Sequence, residues 1–369
     1  MVIMALDHVR DYFSIATFDP VDLSKTDLPF FFTRWITHYC APTFIFLAGV
    51  SAFLFGQKVD DKKKLFKFLI TRGLWIVFLE FTIVRFGWFF NFDYSFSVAQ
   101  VIWAIGWSMV VLSGLIFLPW RVVGIIGLAI IVFHNLLDPI IPSSFGSMDW
   151  AWKILHEGGP IQVSNSLVYV AYPLLPWIGV MAAGYGFGSL FLLPEKKRIN
   201  TFLKIGSGLI ISFIIIRSIN FYGDASLWAH QQSLTFTILS FLNCTKYPPS
   251  LLYLLMTLGP AILLLAWFEK IKGWFAVFFV TIGKVPMFYY VCHLLLIHSL
   301  IVLDAAIHDF NTDYLFSSKA PWMAKERYGY GLPGVYMAWL IVVGILFPLC
   351  SWFVSVKQRN KDKWWVSYV

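Results

Sequence analysis

The chain has 369 residues, of which 59% are hydrophobic, 19% are aromatic and only 13% are charged. Soluble domains average about 45–50% apolar and about 25% charged residues, so this composition excludes a soluble globular protein and a disordered chain. Because the apolar residues form long runs, we expect an all-α, polytopic transmembrane helix bundle that forms a single domain over residues 1–369.

The apolar runs predict ten membrane spans. The first run begins at Met1 and is short for a span. It is not a signal peptide, because no basic segment precedes it and charged residues interrupt it. The predicted spans cover residues 1–18, 35–56, 66–90, 98–118, 121–138, 167–192, 201–220, 248–269, 275–304 and 333–356.

Lysine and arginine are divided unevenly between alternate loops. Of the 28 basic residues, 17 lie in one set of short loops and in the C-terminal tail, whereas 7 lie in the other, longer loops. The positive-inside rule therefore predicts that both termini lie in the cytoplasm. We interpret the net charge of +8 as a topology signal, and we expect no nucleic-acid partner. The longer outer loops are expected to meet an acceptor or ligand.

The densest group of ionisable residues inside an apolar run lies on the first predicted helix. Ionisable groups in membrane spans are costly and are candidates for function. Asp7 and Arg10 share one helix face, whereas His8, Asp11 and Tyr12 share another. We predict that Asp11 holds the His8 ring and fixes its tautomer. The alternative is a cluster of charges at a helix end near the outer surface.

Arg34 and His38 lie four residues apart at the start of the second span, and Pro42 follows them. A proline at this position would kink the helix and free a carbonyl group. These two residues are candidates for function. The alternative is an interfacial arginine and histidine, with Trp35 as an aromatic anchor.

The remaining histidines and the cysteines give weaker signals. His293 and His298 are five residues apart, which separates them by about 140° on a helix, so we interpret them as lone core histidines and expect no metal site. The cysteines show no C-x-x-C spacing and are interpreted as small buried hydrophobic residues rather than disulfide or zinc ligands. They are Cys40, Cys244, Cys292 and Cys350.

The segment Gly283-Lys284-Val285-Pro286 interrupts the ninth apolar run. That run is too long for one straight span, so we predict a break there. Lys284 would then face a cytoplasmic cavity and meet a phosphate group. The alternative is a lysine whose side chain extends to the membrane surface.

Several ordered segments resemble bacterial membrane proteins related to heparan-α-glucosaminide N-acetyltransferase, within the transmembrane acyltransferase superfamily. The resemblance runs from one end of the chain to the other. The segments that carry it are Met1–Tyr12, Ala41–Gly49, Tyr172–Met181, Lys246–Leu252, Gly283–His293 and Trp364–Tyr368.

The resemblance implies transfer of an acetyl group from cytoplasmic acetyl-CoA to an amino sugar or other glycan acceptor on the far side of the membrane. Members of the family carry an Arg-Gly pair some ten residues before this Asp-His, so the first helix is expected to be truncated. The catalytic histidine of the lysosomal enzyme lies in its first lumenal loop. This sequence has no histidine between Tyr12 and Thr37, so that role cannot be carried over, and His8 and His38 flank the gap.

We therefore predict an acetyl-CoA-dependent N- or O-acetyltransferase. His8 is the candidate base, Asp11 stabilises its imidazolium, and His38 is the second candidate histidine. Asp7, Arg10 and Arg34 are expected to hold the acceptor. The CoA phosphates are expected to be attracted by basic residues on the cytoplasmic side, namely Lys62, Lys63, Lys64, Lys196, Lys197, Arg198 and Lys284.

The expected location is the plasma membrane of a bacterium. The expected partners are the lipid bilayer, acetyl-CoA and the acceptor, with a homodimer as a further option and no metal. The rival interpretation is a secondary transporter or channel for a small polar solute. Many transporters contain paired broken helices in two repeats, whereas this sequence shows one break and no repeat. A structural or assembly protein is the third interpretation.

Overall fold

The computed structural model describes residues 1–324, 326–363 and 366, and most of this part of the chain is helical. The all-α prediction is confirmed. The last resembling segment, Trp364–Tyr368, lies outside the described residues except for Val366. The α-helices are α1 (Val2–Phe13), α2 (Leu28–Thr37), α3 (Cys40–Val59), α4 (Lys62–Leu79), α5 (Arg85–Phe89), α6 (Val101–Leu115), α7 (Trp120–Phe133), α8 (Asp149–Trp152), α9 (Leu174–Phe187), α10 (Glu195–Ile219), α11 (Leu234–Leu242), α12 (Leu251–Phe268), α13 (Trp274–Gly283), α14 (Pro286–Ile307) and α15 (Leu332–Arg359).

Seven helical segments of the described chain are long and apolar enough to cross a membrane. The interpretation as a polytopic membrane protein is confirmed, whereas the number of ten spans and the cytoplasmic termini stay predictions. The seven segments are Leu28–Val59, Trp120–Leu137, Leu174–Leu192, Glu195–Ile219, Leu251–Phe268, Pro286–Ile307 and Leu332–Arg359.

Two predicted spans differ from the helices that the structure contains. The first, predicted over residues 1–18, forms a helix of 12 residues because the backbone becomes extended at Ser14. The span predicted over residues 167–192 begins as a strand, and its helix starts only after Pro173. Hydrophobicity alone did not distinguish the strand from the helix that follows it. The β-branched residues of this strand favour extended backbone, and the residue before a proline is disfavoured in a helix.

In the described part of the chain, three short strands accompany the helices: β1 (Phe96–Ala99), β2 (Gly159–Val163) and β3 (Ser166–Val170). The last two form an antiparallel hairpin in which Gly159 pairs with Val170 and Val163 pairs with Ser166. The carbonyl of Ala99 accepts hydrogen bonds from the backbone N–H groups of Ala171 and Tyr172. The strand β2 lies between the predicted spans 121–138 and 167–192, in one of the longer loops.

The predicted break in the ninth run is confirmed. Helix α13 ends at Gly283, and α14 begins at Pro286. A proline is tolerated at the first position of a helix because its missing N–H would have no helical partner there. Of the four cysteines, Cys244 and Cys350 are buried, whereas Cys40 and Cys292 are half-buried.

The chain separates into two compact units. The first consists of Met1–Cys40, Phe81–Ser97 and Ile271–Val369, and the second consists of Ala41–Glu80 and Val98–Lys270. The interpretation of the whole chain as one domain stays a prediction.

In the first unit, α1 packs against α2, α14 and α15. Ala5 and Val9 of α1 are fully buried. The indole Nε1 of Trp339 donates a hydrogen bond to the carbonyl of Val2 over 2.9 Å. These contacts bury the helix that carries the predicted base.

In the second unit, glycines let helix backbones approach closely. A Cβ on Gly127 of α7 would meet the backbone N of Ala183 and the carbonyl of Gly179, both on α9. A Cβ on Gly206 of α10 would lie 2.9 Å from the carbonyl of Gly259 on α12. Small residues at such crossings are typical of helix packing in membranes, where van der Waals contact rather than the hydrophobic effect drives association.

Candidate active site

His8 of α1 and His293 of α14 form the central contact of the candidate site. The Nδ1 atom of His8 lies 2.7 Å from Nε2 of His293, and the two rings are nearly parallel. His293 is fully buried. The indole of Trp88 meets the His8 ring edge-on at a centroid distance of 4.8 Å. The pair thus joins a fully buried ring to a half-buried one, and a hydrogen bond that is shielded from water is stronger than an exposed one.

The structure corrects one expectation about these histidines. His293 is not a lone core histidine, because it is hydrogen-bonded to His8. Asp11 accepts a hydrogen bond from Nη2 of Arg10 over 2.7 Å, and its predicted role beside the His8 ring stays a prediction.

Asp7 is the centre of an ion cluster beside this pair. Nη1 of Arg34 lies 2.7 and 2.6 Å from the two carboxylate oxygens of Asp7, and the hydroxyl of Thr37 donates to Oδ1. Nη1 of Arg10 lies 2.8 Å from the same oxygen. The side chains of Asp7 and Arg34 are only 14% and 15% exposed. The predicted acceptor residues Asp7, Arg10 and Arg34 are therefore in mutual contact.

Arg327 adds a further positive charge to this neighbourhood. Burial lowers the pKa of its guanidinium, while the charge of Asp11 opposes that shift. Arg327 also donates a hydrogen bond to the carbonyl of Ala16, just beyond the end of α1. No local spacing pattern marks Arg327 in the sequence, because only the fold brings the segment before α15 next to the end of α1.

Two other predicted histidines lie in different environments. His38 is buried where α2 ends, and its role stays a prediction. Nδ1 of His298 lies 3.0 Å from the carbonyl of Gly87, and its ring stacks on Phe90. Its interpretation as a core residue agrees with these contacts. Among the described residues, no group of three or more His, Cys, Asp or Glu is arranged to hold a metal ion.

Most of the residues predicted to attract CoA are exposed. Lys62, Lys63 and Lys64 begin α4, and Lys196 and Lys197 lie in the first turn of α10. Lys284 is exposed at the break between α13 and α14. The five lysines of α4 and α10 belong to the second unit and Lys284 to the first.

Arg198 differs from these lysines because its charge is already engaged. Its guanidinium lies 2.7 and 2.8 Å from the two carboxylate oxygens of Glu269, beyond the end of α12. It also donates to the carbonyl of Leu193. This bidentate pair joins two helix ends, so Arg198 has less positive charge to offer a phosphate than its neighbours have.

One family profile matches this chain. It describes the catalytic domain of heparan-alpha-glucosaminide N-acetyltransferase and matches residues 1–231. The chain belongs to this N-acetyltransferase family. No curated protein and no solved structure matches it.

The family assignment indicates a membrane acetyltransferase. The matched part contains the whole of α1 with His8 and the ion cluster around Asp7, as well as the basic residues of α4 and α10. His293, Lys284 and Arg327 lie beyond it. Sequence reasoning missed His293 as a partner of His8 because the two are separated by 285 positions, and no local spacing rule connects them.

Proposed function

We propose that this family member transfers an acetyl group from acetyl-CoA to the amine of an amino sugar, or to a hydroxyl of another glycan. The observation that carries the proposal is the family match, because it includes the helix on which His8 lies. We further propose that the protein lies in a bacterial plasma membrane. Its basic loops would face the donor in the cytoplasm, and its longer loops would face the acceptor outside.

In the proposed reaction, His8 acts as a general base. The acceptor nitrogen attacks the carbonyl carbon of the thioester, and His8 takes the proton that the amine loses. The C–S bond then breaks, and the CoA thiolate is protonated by the His8 imidazolium. The proposed step requires His8 to start neutral, so that a ring nitrogen can accept the proton.

The ion cluster of Asp7, Arg10, Asp11 and Arg34 is the proposed acceptor-binding group. It contains two carboxylates and two guanidiniums, so it offers both acceptors and donors to the hydroxyl and amine groups of a sugar. Asp7, Arg10 and Asp11 lie on the same helix as His8, within one turn of it, and Arg34 reaches Asp7 from α2. An acceptor bound there would therefore be held close to the base.

We propose that the lysines at the starts of α4 and α10 attract the CoA phosphates. Since these side chains are exposed, salt should screen them and weaken acetyl-CoA binding. The variant Lys196→Gln/Lys197→Gln should raise the Kd, whereas Lys25→Gln in a predicted outer loop should not. Arg198 is left unchanged because its pairing with Glu269 makes a loss of charge there also a loss of structure. An unchanged Kd in the double variant would contradict this placement.

The proposed function is tested by isothermal titration of the purified protein with acetyl-CoA, with NADPH as a control of similar phosphate content. Saturable binding of acetyl-CoA, displaced by CoA and not by NADPH, is the expected result. A transporter of a small polar solute would bind neither. Absence of acetyl-CoA binding would contradict the acetyltransferase proposal.

A further inference from the structure

His293 is held by hydrogen bonds at both of its ring nitrogens. Its Nδ1 atom lies 3.1 Å from the carbonyl oxygen of Tyr289, one turn earlier on α14. Its Nε2 atom lies 2.7 Å from Nδ1 of His8. The ring is fully buried and also packs on Tyr289 and Tyr290. The ring is therefore held between the backbone of α14, which contacts Nδ1, and the His8 side chain of α1, which contacts Nε2.

These contacts determine which nitrogen carries hydrogen in each ring. A carbonyl oxygen only accepts hydrogen bonds, so Nδ1 of His293 must be the N–H donor to Tyr289. In a neutral ring the other nitrogen then has no hydrogen, so Nε2 of His293 is an acceptor. Nδ1 of His8 must therefore carry a hydrogen and donate it to His293. In neutral His8, the lone pair that can accept a proton is then on Nε2.

We propose that His293 is the positioning residue of the site: it fixes His8 in the Nδ1–H tautomer, so that Nε2 of His8 is the atom that accepts the proton. The tautomer follows from the two hydrogen bonds alone. Its catalytic consequence rests on the proposed function.

A carboxylate often orients a catalytic histidine in this way. In this site Asp11 is engaged by Arg10, and a neutral imidazole occupies the equivalent place beside His8. When His8 gains a proton on Nε2, its Nδ1–H continues to donate to His293. The bond then becomes a charge-assisted one, which is stronger than the neutral bond that preceded it. The neutral His293 ring thus stabilises the protonated state of His8 through this bond.

The reaction step can be written with named atoms. The amine nitrogen forms a bond to the acetyl carbon, and the C–S bond to CoA breaks. The proton leaves the amine for Nε2 of His8 and passes from there to the CoA sulfur. His293 keeps its proton on Nδ1 throughout, so it acts only through His8.

The first test reads the tautomer without substrate. The protein is labelled with ¹⁵N-histidine, reconstituted in lipid bilayers and studied by solid-state NMR at neutral pH, with His8 assigned by its loss in His8→Gln. We expect a protonated Nδ1 and an unprotonated Nε2 in His8. The opposite tautomer would overturn the proposal, whether or not the protein binds acetyl-CoA.

The second test measures turnover in three variants, with acetyl-CoA binding as the check on folding. His293→Phe should lower kcat by about 10–100-fold, the loss that is typical when the partner that orients a metal-bound histidine is removed. His293→Gln should recover part of that loss, because its side-chain oxygen can accept from His8. His298→Phe, also on α14 and equally buried, is the matched control and should keep its kcat.

The two failures can be told apart. If the wild-type protein binds no acetyl-CoA, the proposed function fails, but the tautomer result stands. If His293→Phe keeps full kcat, or if His298→Phe loses as much, His293 is not a positioning residue. Should His293→Phe fail to fold, a kcat in His293→Gln no higher than that of His8→Ala would overturn the proposal.

Discussion

Asp7 is the carboxylate that Arg10 and Arg34 share. Both guanidiniums are largely shielded from water, so their charges depend on this partner more than surface charges would. Asp11 compensates Arg10 from the other side, but Arg34 depends on Asp7 through both of its carboxylate oxygens.

We therefore expect Asp7→Asn to lower the free energy of unfolding by about 1–3 kcal/mol, the usual cost when a buried hydrogen-bonding group loses its partner. Thermal unfolding in detergent micelles measures this effect. Asp22→Asn, which removes an exposed pair with Lys25, is the matched control and should change little. Equal effects in the two variants would show that the ion cluster contributes no more to stability than an exposed ion pair does.

A second carboxylate, that of Asp138, makes the stability of the folded protein depend on pH. Burial acts to raise the pKa of Asp138, but hydrogen bonds from His156 and Asn135 outweigh it and hold the pKa below its ordinary value. A group with a lowered pKa stabilises the folded state at pH values above its unfolded pKa, about 3.9 for aspartate. That contribution is lost as the pH falls through the lower, folded value.

The melting temperature of the wild-type protein should therefore fall steeply as the pH drops below about 4. Asp138→Asn should show a lower melting temperature at neutral pH and a smaller acid-dependent fall. Melting curves recorded across this range provide the comparison. Parallel curves for the two proteins would contradict the assigned role of Asp138.

At the scale of elements, the contact between α7 and α9 depends on the absence of a side chain at Gly127. A larger residue there would meet the backbone of α9, and overpacking typically costs about 1–3 kcal/mol. We expect Gly127→Val to lower the melting temperature. Gly208→Ala on α10, where an added Cβ meets nothing within 4 Å, should leave it unchanged or higher, because alanine favours helix. An unchanged melting temperature in Gly127→Val would contradict the close packing of α7 on α9.

The sequence predicted many of the helices and their breaks, but it did not predict one strand and one contact between helices, for physical reasons. The break before Pro286 was predictable because glycine and proline act locally on the backbone. The strand Ser166–Val170 was not, because its apolar residues continue into the helix at Leu174 without a change in hydrophobicity. Asp7 and Arg10 were predicted to share a face, whereas the His8–His293 bond is a tertiary contact that no helical periodicity encodes.

At the scale of the whole molecule, the main prediction concerns the orientation of the protein in the membrane. The unequal distribution of Lys and Arg places one set of loops in the cytoplasm. Reporter fusions after Lys64, Arg198 and Lys363 should report a cytoplasmic location, and fusions after Lys153 and Lys319 should report an external one. A reversed result at any two of these positions would contradict the ten-span topology.

The measurement that tests the account most directly is transfer of labelled acetyl from acetyl-CoA to glucosamine by the purified protein in proteoliposomes. The wild-type protein should form N-acetylglucosamine. His8→Ala should still bind acetyl-CoA but lose about 10²–10⁴-fold in kcat, as expected for a missing general base. His38→Ala should instead raise the acceptor KM more than it lowers kcat. Near-normal turnover in His8→Ala together with an inactive His38→Ala would contradict the central claim that His8 is the base.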